Sequence, residues 1–257
     1  MTTMLRLYVQ APFAAFRTFT AGWYRPTAGF LTPSAAYGLA LNLAGIETRR
    51  DDGSAMTVTA FGLPRARIAL GADPDNPRGP YPTVHTIYQQ LHNYPVGASG
   101  KARKEDAKGN KYNITPVRRE FLSDLRAIVA LDFDETEEYP DVEGRIRRAL
   151  DRDAPQSRRT YGLPFLGDNA FLIDKIEICE EPRTALWYCR VRSHVGAVPH
   201  STRLTTWIDR RDMSRTRSDL FAPAEPAGES IPDDAWTAIE PPPEPAPVRT
   251  SKKKGLP

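Results

Sequence analysis

The chain has 257 residues, 40% of them hydrophobic, and a formal net charge of only +3. That length suits one large domain with a real core or two small ones, and the charge excludes a polycation, so any nucleic-acid surface has to come from local clustering. No apolar run approaches the roughly 18 residues of a membrane span, and the start lacks a basic stretch leading into an apolar core, so neither a span nor a signal peptide is expected and the chain reads as cytoplasmic.

Leu5, Leu7 and Val9 share one face of a short strand, with Arg6 and Tyr8 on the other. Phe19 to Pro26 then carries three aromatics and a cation, with Arg17 just before it. Two readings fit. In one, Trp23 anchors the loop in the core and Arg25 pairs with a carboxylate. In the other, unpaired bases stack on Trp23 and Tyr24 while Arg17 and Arg25 hold phosphates. The helix that follows has a clear start and stop: Thr32 as cap, Pro33 at the first helical position and Gly45 closing the last turn. Leu39, Leu43 and Ile46, with Ala35 and Ala36, form its apolar stripe. Its first turn, with Ser34 and unpaired backbone N–H groups, suits a phosphate.

Met56 to Phe61 alternates as a strand, and Arg65 to Leu70 resumes extended structure after Leu63-Pro64. Residues 71–82 are turn-rich, and Val84 to Leu91 reads as another strand. Asn93 to Asn110 has almost nothing to bury and reads as a long loop. Tyr112 to Phe121 and Leu125 to Phe133 are expected as two further strands. Seven cations (Lys101, Arg103, Lys104, Lys108, Lys111, Arg118 and Arg119) stand here against Glu105 and Asp106. Such an arm is either a solvated hairpin or a phosphate-binding surface that releases counterions.

After the acidic run Asp132 to Glu138, Val142, Ile146 and Leu150 mark the buried stripe of a second helix, with arginines outside. Phe171 to Ile178, Ala185 to Arg192 and Ser201 to Asp209 read as three strands; Cys179 and Cys189, on consecutive strands, could form a bridge, but a reducing cytoplasm favours buried free thiols. Nine of the 24 prolines fall in the last 36 residues, which end near Lys252-Lys253-Lys254. Residues 222–257 are therefore expected to form a flexible tail on a 1–221 domain. The order of elements suits an α+β class, an antiparallel sheet with helices on one face.

No Walker-type loop or dinucleotide fingerprint occurs, and His194, His200 and Cys189 lack a zinc spacing, so no cofactor or metal is expected.

Three motifs carry a resemblance. Ala14-Ala15-Phe16-Arg17 leads through an aromatic-basic loop to Thr32-Pro33-Ser34-Ala35-Ala36-Tyr37-Gly38, and Pro116 to Leu122 and Tyr161 to Asn169 follow. In this order they resemble the CRISPR-associated Cas-five family, of the RAMP class of RNA-binding proteins. The resemblance implies a ferredoxin-like (RRM-like) palm with an inserted basic hairpin thumb at about residues 85–118. It implies a non-catalytic subunit of a type I Cascade complex that caps the 5′ handle of the guide RNA (crRNA). The implied RNA contacts are Arg17, Trp23, Tyr24, Arg25, Ser34, Tyr37, His85, His92, Lys101, Arg103, Lys104, Lys108, Lys111, Arg118 and Arg119. The implied partners are Cas-seven backbone subunits, a Cas-eight-type large subunit and, through the complex, target DNA; no membrane is involved. The branch most resembled is the myxobacterial type associated with type I-B systems. One branch of the family cuts precursor guide RNA without metal, which requires a base, a leaving-group donor and a cation at the phosphate; it uses a tyrosine and an adjacent Lys-His pair, a dipeptide this chain lacks. His85 and His92, which bracket Tyr88, are the only substitutes, and a histidine near a basic hairpin is more often a binding or packing residue. Metal-independent endoribonuclease activity is thus the alternative reading, and a generic single-stranded RNA-binding module the other.

Overall fold

Alternation of apolar and polar residues builds the centre of the molecule. The computed structural model describes residues 4–18, 23–51, 58–92, 114–151, 162–192, 197–210 and 212–242. Along the chain run β1 (Leu5–Ala14), β2 (Tyr24–Arg25), α1 (Pro33–Leu43), β3 (Arg49–Arg50), β4 (Val58–Thr59), β5 (Ala66–Ala72) and β6 (Thr83–His92). There follow β7 (Ile114–Phe133), α2 (Val142–Leu150), β8 (Lys175–Ile178), β9 (Leu186–Arg190), β10 (Thr202–Trp207), β11 (Arg217–Pro223) and β12 (Thr237–Ile239). The main sheet is ordered β10-β11-β9-β5-β7-β1-β8, with β12 on β5 and both β2 and β6 on β7. All of its pairings are antiparallel except β2 with β7. The fold is α+β, a mostly antiparallel sheet with two helices.

Leu5, Leu7 and Val9 of β1, Val129 and Leu131 of β7 and Ile68 and Leu70 of β5 form one buried face. Leu39, Leu41 and Leu43 of α1 and Val142 and Ile146 of α2 pack on that same face. The opposite face buries Tyr8, Ala69, Ile128, Ala130 and Trp187. Alternate side chains of each strand thus serve two layers. The caps of α1 follow from its sequence: Thr32 Oγ1 accepts from the Ala35 N–H at 3.2 Å, and Gly45 adopts φ +68°. Its buried surface is wider than that stripe, because Tyr37, Ala40 and Leu41 are also enclosed. In α2, Asp141 accepts from the Gly144 N–H, and Arg147 pairs with Glu143 one turn earlier. Among the described residues no helix is long and apolar enough to cross a membrane.

Two expectations are corrected. The strands expected at Tyr112–Phe121 and Leu125–Phe133 are one continuous β7 of 20 residues. Asp124 takes the left-handed conformation, φ +57°, yet does not end the strand. β1 spans the irregularity, pairing Ala11 with Leu125 and Phe13 with Ser123. The second concerns the segment just after Phe221, expected as part of a flexible tail but folded up to residue 242. Residues 217–223 form β11, and β12 joins the main sheet with Thr237 opposite Ile68 and Ile239 opposite Ala66. Residues 243–257 lie outside the described residues.

Ile239 is 1% exposed and packs in the main core. Ile239→Ala is expected to lower unfolding free energy by about 2–4 kcal/mol in chemical denaturation. A loss below about 0.5 kcal/mol, as for a free surface position, would mean β12 is not docked.

Candidate nucleic-acid interface

Three strands meet at the base of the β6/β7 hairpin. β7 lies at the centre, with β2 on one edge and β6 on the other. Register brings Tyr24, Arg118 and Tyr88 into one row, since Arg118 is the partner of both tyrosines. The Arg118 guanidinium lies 5.4 Å from the Tyr24 ring centroid and 5.8 Å from that of Tyr88. The Arg118 N–H donates to the Trp23 carbonyl at 2.8 Å, tying the aromatic loop to β7. The Tyr24 hydroxyl donates to Glu120 Oε1, and the Thr27 N–H donates to Oε2 at 3.0 Å. The Glu120 bond pushes the Tyr24 phenol above its ordinary pKa. Tyr88 is 75% exposed and Trp23 59%. Arg118 Nε is buried with no hydrogen-bond partner among the described residues. The open rings of Trp23 and Tyr88 beside a guanidinium are an arrangement on which an incoming unpaired base can stack.

One residue further along, the side chains turn to the other face. Arg25 is the register partner of Arg119, and Arg119 of Ile87. Arg119 forms an ion pair with Asp168 and donates to Gln89 Oε1 at 3.3 Å. Its guanidinium lies 5.8 Å from the Phe171 ring. Phe13, Phe121 and Phe171 meet at centroid distances of 5.5–6.1 Å. His85 stacks on Phe121 at 5.2 Å, with Nε2 2.7 Å from Ser123 Oγ.

Charge at this base is unbalanced. Among the described residues, Arg17, Arg25, Arg118 and Arg119 are gathered with two carboxylates, Glu120 and Asp168. Burial, then repulsion from Arg119 and Arg25, draws the Arg17 guanidinium below its usual pKa, against the pull of Asp168. Burial raises the Asp168 carboxyl, but the hydrogen bonds from Arg119 and the Ala170 N–H, with the charges of Arg119 and Arg17, outweigh it. The net result lies below the usual carboxylate value. A bound phosphate would relieve the repulsion among these arginines.

Gly167 sets Asp168 in place. Its φ is +79°, and a Cβ there would fall 1.8 Å from the Ala15 carbonyl oxygen. The close approach lets the Ala15 N–H donate to the Leu166 carbonyl at 3.2 Å, joining this segment to the end of β1. Between this segment and α1 runs a cleft of about 730 Å³. Its floor is the least enclosed strip of α1, Ser34, Gly38 and Asn42, with Arg17, Arg49 and Arg210 on its walls. Gly38 leaves the floor open, with no atom within 4 Å of a Cβ placed there.

The family described as CRISPR-associated protein (Cas_Cas5) matches residues 4–182. This chain belongs to that family. No curated protein matches it. Among solved structures, a chain of one titled "CRISPR RNA-guided surveillance complex" aligns at TM-score 0.48 and 15% identity, over 91% of this chain and 96% of that one. A chain titled "Crystal structure of Cas protein" aligns at TM-score 0.35 and 14% identity, over 89% and 100%.

In this Cas5 chain, Arg17, Trp23, Tyr24, Arg25, His85, Arg118 and Arg119 meet at or beside the hairpin base, and Ser34 lies in the α1 cleft. The reading of Trp23 as a core anchor is corrected by its exposure. Tyr37 is corrected too: it is 4% exposed, and its hydroxyl donates to the Pro64 carbonyl at 2.7 Å, so it braces α1 against the chain before β5. Burial raises its pKa far above the ordinary phenol value. His92 belongs to β6, and Lys101, Arg103, Lys104, Lys108 and Lys111 lie outside the described residues. Glu120 and Asp168 lie within two of the three motifs and Tyr88 between His85 and His92, but nothing in the sequence gives these residues or Phe171 a place in the site; cross-strand register and the Gly167 turn bring them in.

Asp168→Asn tests the electrostatic frame. A lowered folded pKa contributes stability above the unfolded value of about 3.9 and loses it as pH falls through the folded value. The variant is expected to be less stable than the parent at pH 7 and to converge with it below about pH 4. A difference independent of pH would show that the Asp168 charge is not what Arg119 and Arg17 respond to.

Proposed function

We propose that this protein is a non-catalytic RNA-binding subunit of a type I CRISPR surveillance (Cascade) complex, holding the 5′ handle of the guide RNA. Membership of the Cas5 family supports the setting. The order β1-α1-β5-β7-α2-β8, with β5-β7-β1-β8 side by side, supports a ferredoxin-like palm. The β6/β7 ribbon that leaves it, with the lysine-rich run in the sequence between the two strands, supports a thumb. The observation that carries the reading is the row Tyr24–Arg118–Tyr88, with exposed rings, beside an excess of guanidinium groups.

In this reading an unpaired handle base stacks on Tyr88 or Trp23, and Arg17, Arg25 and Arg118 take the flanking phosphates. RNA continues along the α1 cleft over Ser34 and Gly38. Shape, phosphate and a few splayed bases are read, while sequence recognition of the target is left to base pairing by the guide. Cas-seven backbone subunits and a Cas-eight-type large subunit are the partners, in the cytoplasm.

A second reading, metal-independent cleavage of precursor guide RNA, draws on one observation: His85 is exposed, with Nε2 close to Ser123 Oγ. The cation nearest it along the ribbon, Arg119, is already committed to Asp168, which disfavours the transition-state role cleavage would demand of it.

Binding of a CRISPR repeat RNA in EDTA separates these readings. The full chain is expected to bind without cutting. Tyr88→Ala and Trp23→Ala should each weaken binding by about 1–3 kcal/mol. Arg17→Ala with Arg25→Ala should flatten the salt dependence by about 0.7 in slope per lost contact. Cleavage abolished by His85→Ala would establish the second reading. Equal affinity for scrambled RNA of the same length would reduce the protein to a general single-strand binder.

A further inference from the structure

A second polar cleft lies in the other wing of the sheet. One edge of β5 is shared by two strands, β12 along Ala66–Ile68 and β9 at Gly71–Ala72. β9 carries β11 and β10 with it, so the sheet forks, and where β9, β10, β11 and β12 converge it encloses a cleft of about 370 Å³. The lining is mostly polar. It includes the guanidinium-bearing Arg190 and Arg217, the hydroxyls of Thr206, Ser218 and Thr237, and a single carboxylate, Asp219.

Three features of this lining bear on what it could bind. Thr237 is 2% exposed, and its Oγ1 has no hydrogen-bond partner among the described residues. Leaving a buried hydroxyl unpaired costs free energy that an apolar residue of the same shape would not incur. Thr206, 7% exposed, sits where the β10–β11 register shifts between Thr205 and Trp207. A bulge of that kind re-aims a side chain away from regular pairing. Arg190 donates from Nε to Asp219 Oδ2 at 3.1 Å and its guanidinium lies 5.4 Å from the Phe221 ring centroid, so the side chain is held in place with its outer nitrogens unbonded among the described residues, while Arg217 has no carboxylate partner among them. Two cations therefore face one anion, together with hydroxyl donors.

We propose that this cleft binds one phosphate group, with Arg217 and the outer edge of Arg190 as cations and Thr237 and Thr206 as hydroxyl donors. Asp219 positions Arg190. Arginine forks and hydroxyls match the geometry of a tetrahedral oxyanion, whereas a metal ion would require a set of carboxylates or imidazoles that the lining lacks. The phosphate is either a backbone group of a nucleic-acid strand or a free phosphate. The proposal does not depend on the RNA reading of the hairpin base.

The test is a site-resolved titration of the ¹⁵N-labelled full chain with inorganic phosphate and, separately, with the diribonucleotide ApA, whose only phosphate is an internal diester. Saturable shifts of the 216–219 and 237–238 amide signals are expected with at least one of the two. A response to ApA assigns the site to a polynucleotide backbone; a response to phosphate alone assigns it to the free ion. Arg217→Ala and Thr237→Val are each expected to weaken binding about tenfold or more. Thr237→Val preserves shape, and its unchanged or raised melting temperature in phosphate-free buffer separates lost binding from lost folding. Shifts confined to the surroundings of Arg17, Arg25 and Arg119, or binding unaltered in both variants, would overturn the proposal.

Discussion

One strand joins the core to the surface. The inner half of β7 is buried between β1 and β5, where Leu125, Ala127, Val129 and Leu131 face the helices and Ile128 and Ala130 the other layer. Its outer half pairs with β6 and β2. Because side chains alternate, a slip of one residue would move the inner set from one layer to the other, so burial pins the register. The same register then dictates that Arg118 lies between Tyr24 and Tyr88 and that Arg119 faces Asp168. The surface row inherits its geometry from the hydrophobic effect acting several residues away.

That inheritance explains how an excess of guanidinium groups stays ordered before any ligand arrives. Glu120 and Asp168 do not neutralise the cluster; they orient it, each accepting from more than one donor. Asp168 in turn depends on Gly167, whose backbone approaches Ala15 too closely for any side chain. The motif around Gly167 holds no nucleophile and no set of metal ligands, and its part is to aim a carboxylate and a phenylalanine at the hairpin base. Groups already held in place lose less freedom on binding.

Where local chemistry decides structure, the sequence was legible. Thr32, Pro33 and Gly45 mark the ends of α1, and the four-residue spacing of Val142 and Ile146 marks α2, because capping and helical period act within a turn. Where pairing decides it, the sequence was opaque. Leu122-Ser123-Asp124 resembles a strand end, yet β1 bridges it. The proline-rich composition after Phe221 hides a three-residue strand held by β5. Tyr37 follows the cap motif but its ring turns inward, since α1 is enclosed almost all round and only the strip at Ser34, Gly38 and Asn42 stays open. Tyr88 is marked in the sequence only by its place between His85 and His92, and its partner Arg118 is 30 residues away.

Ultraviolet cross-linking of the chain to guide RNA in its assembled complex, with peptides mapped by mass spectrometry, tests the account at its centre. Cross-links at Trp23, Tyr24 and Tyr88 are the predicted result. Adducts confined to other aromatics, with these three unmodified, would contradict it.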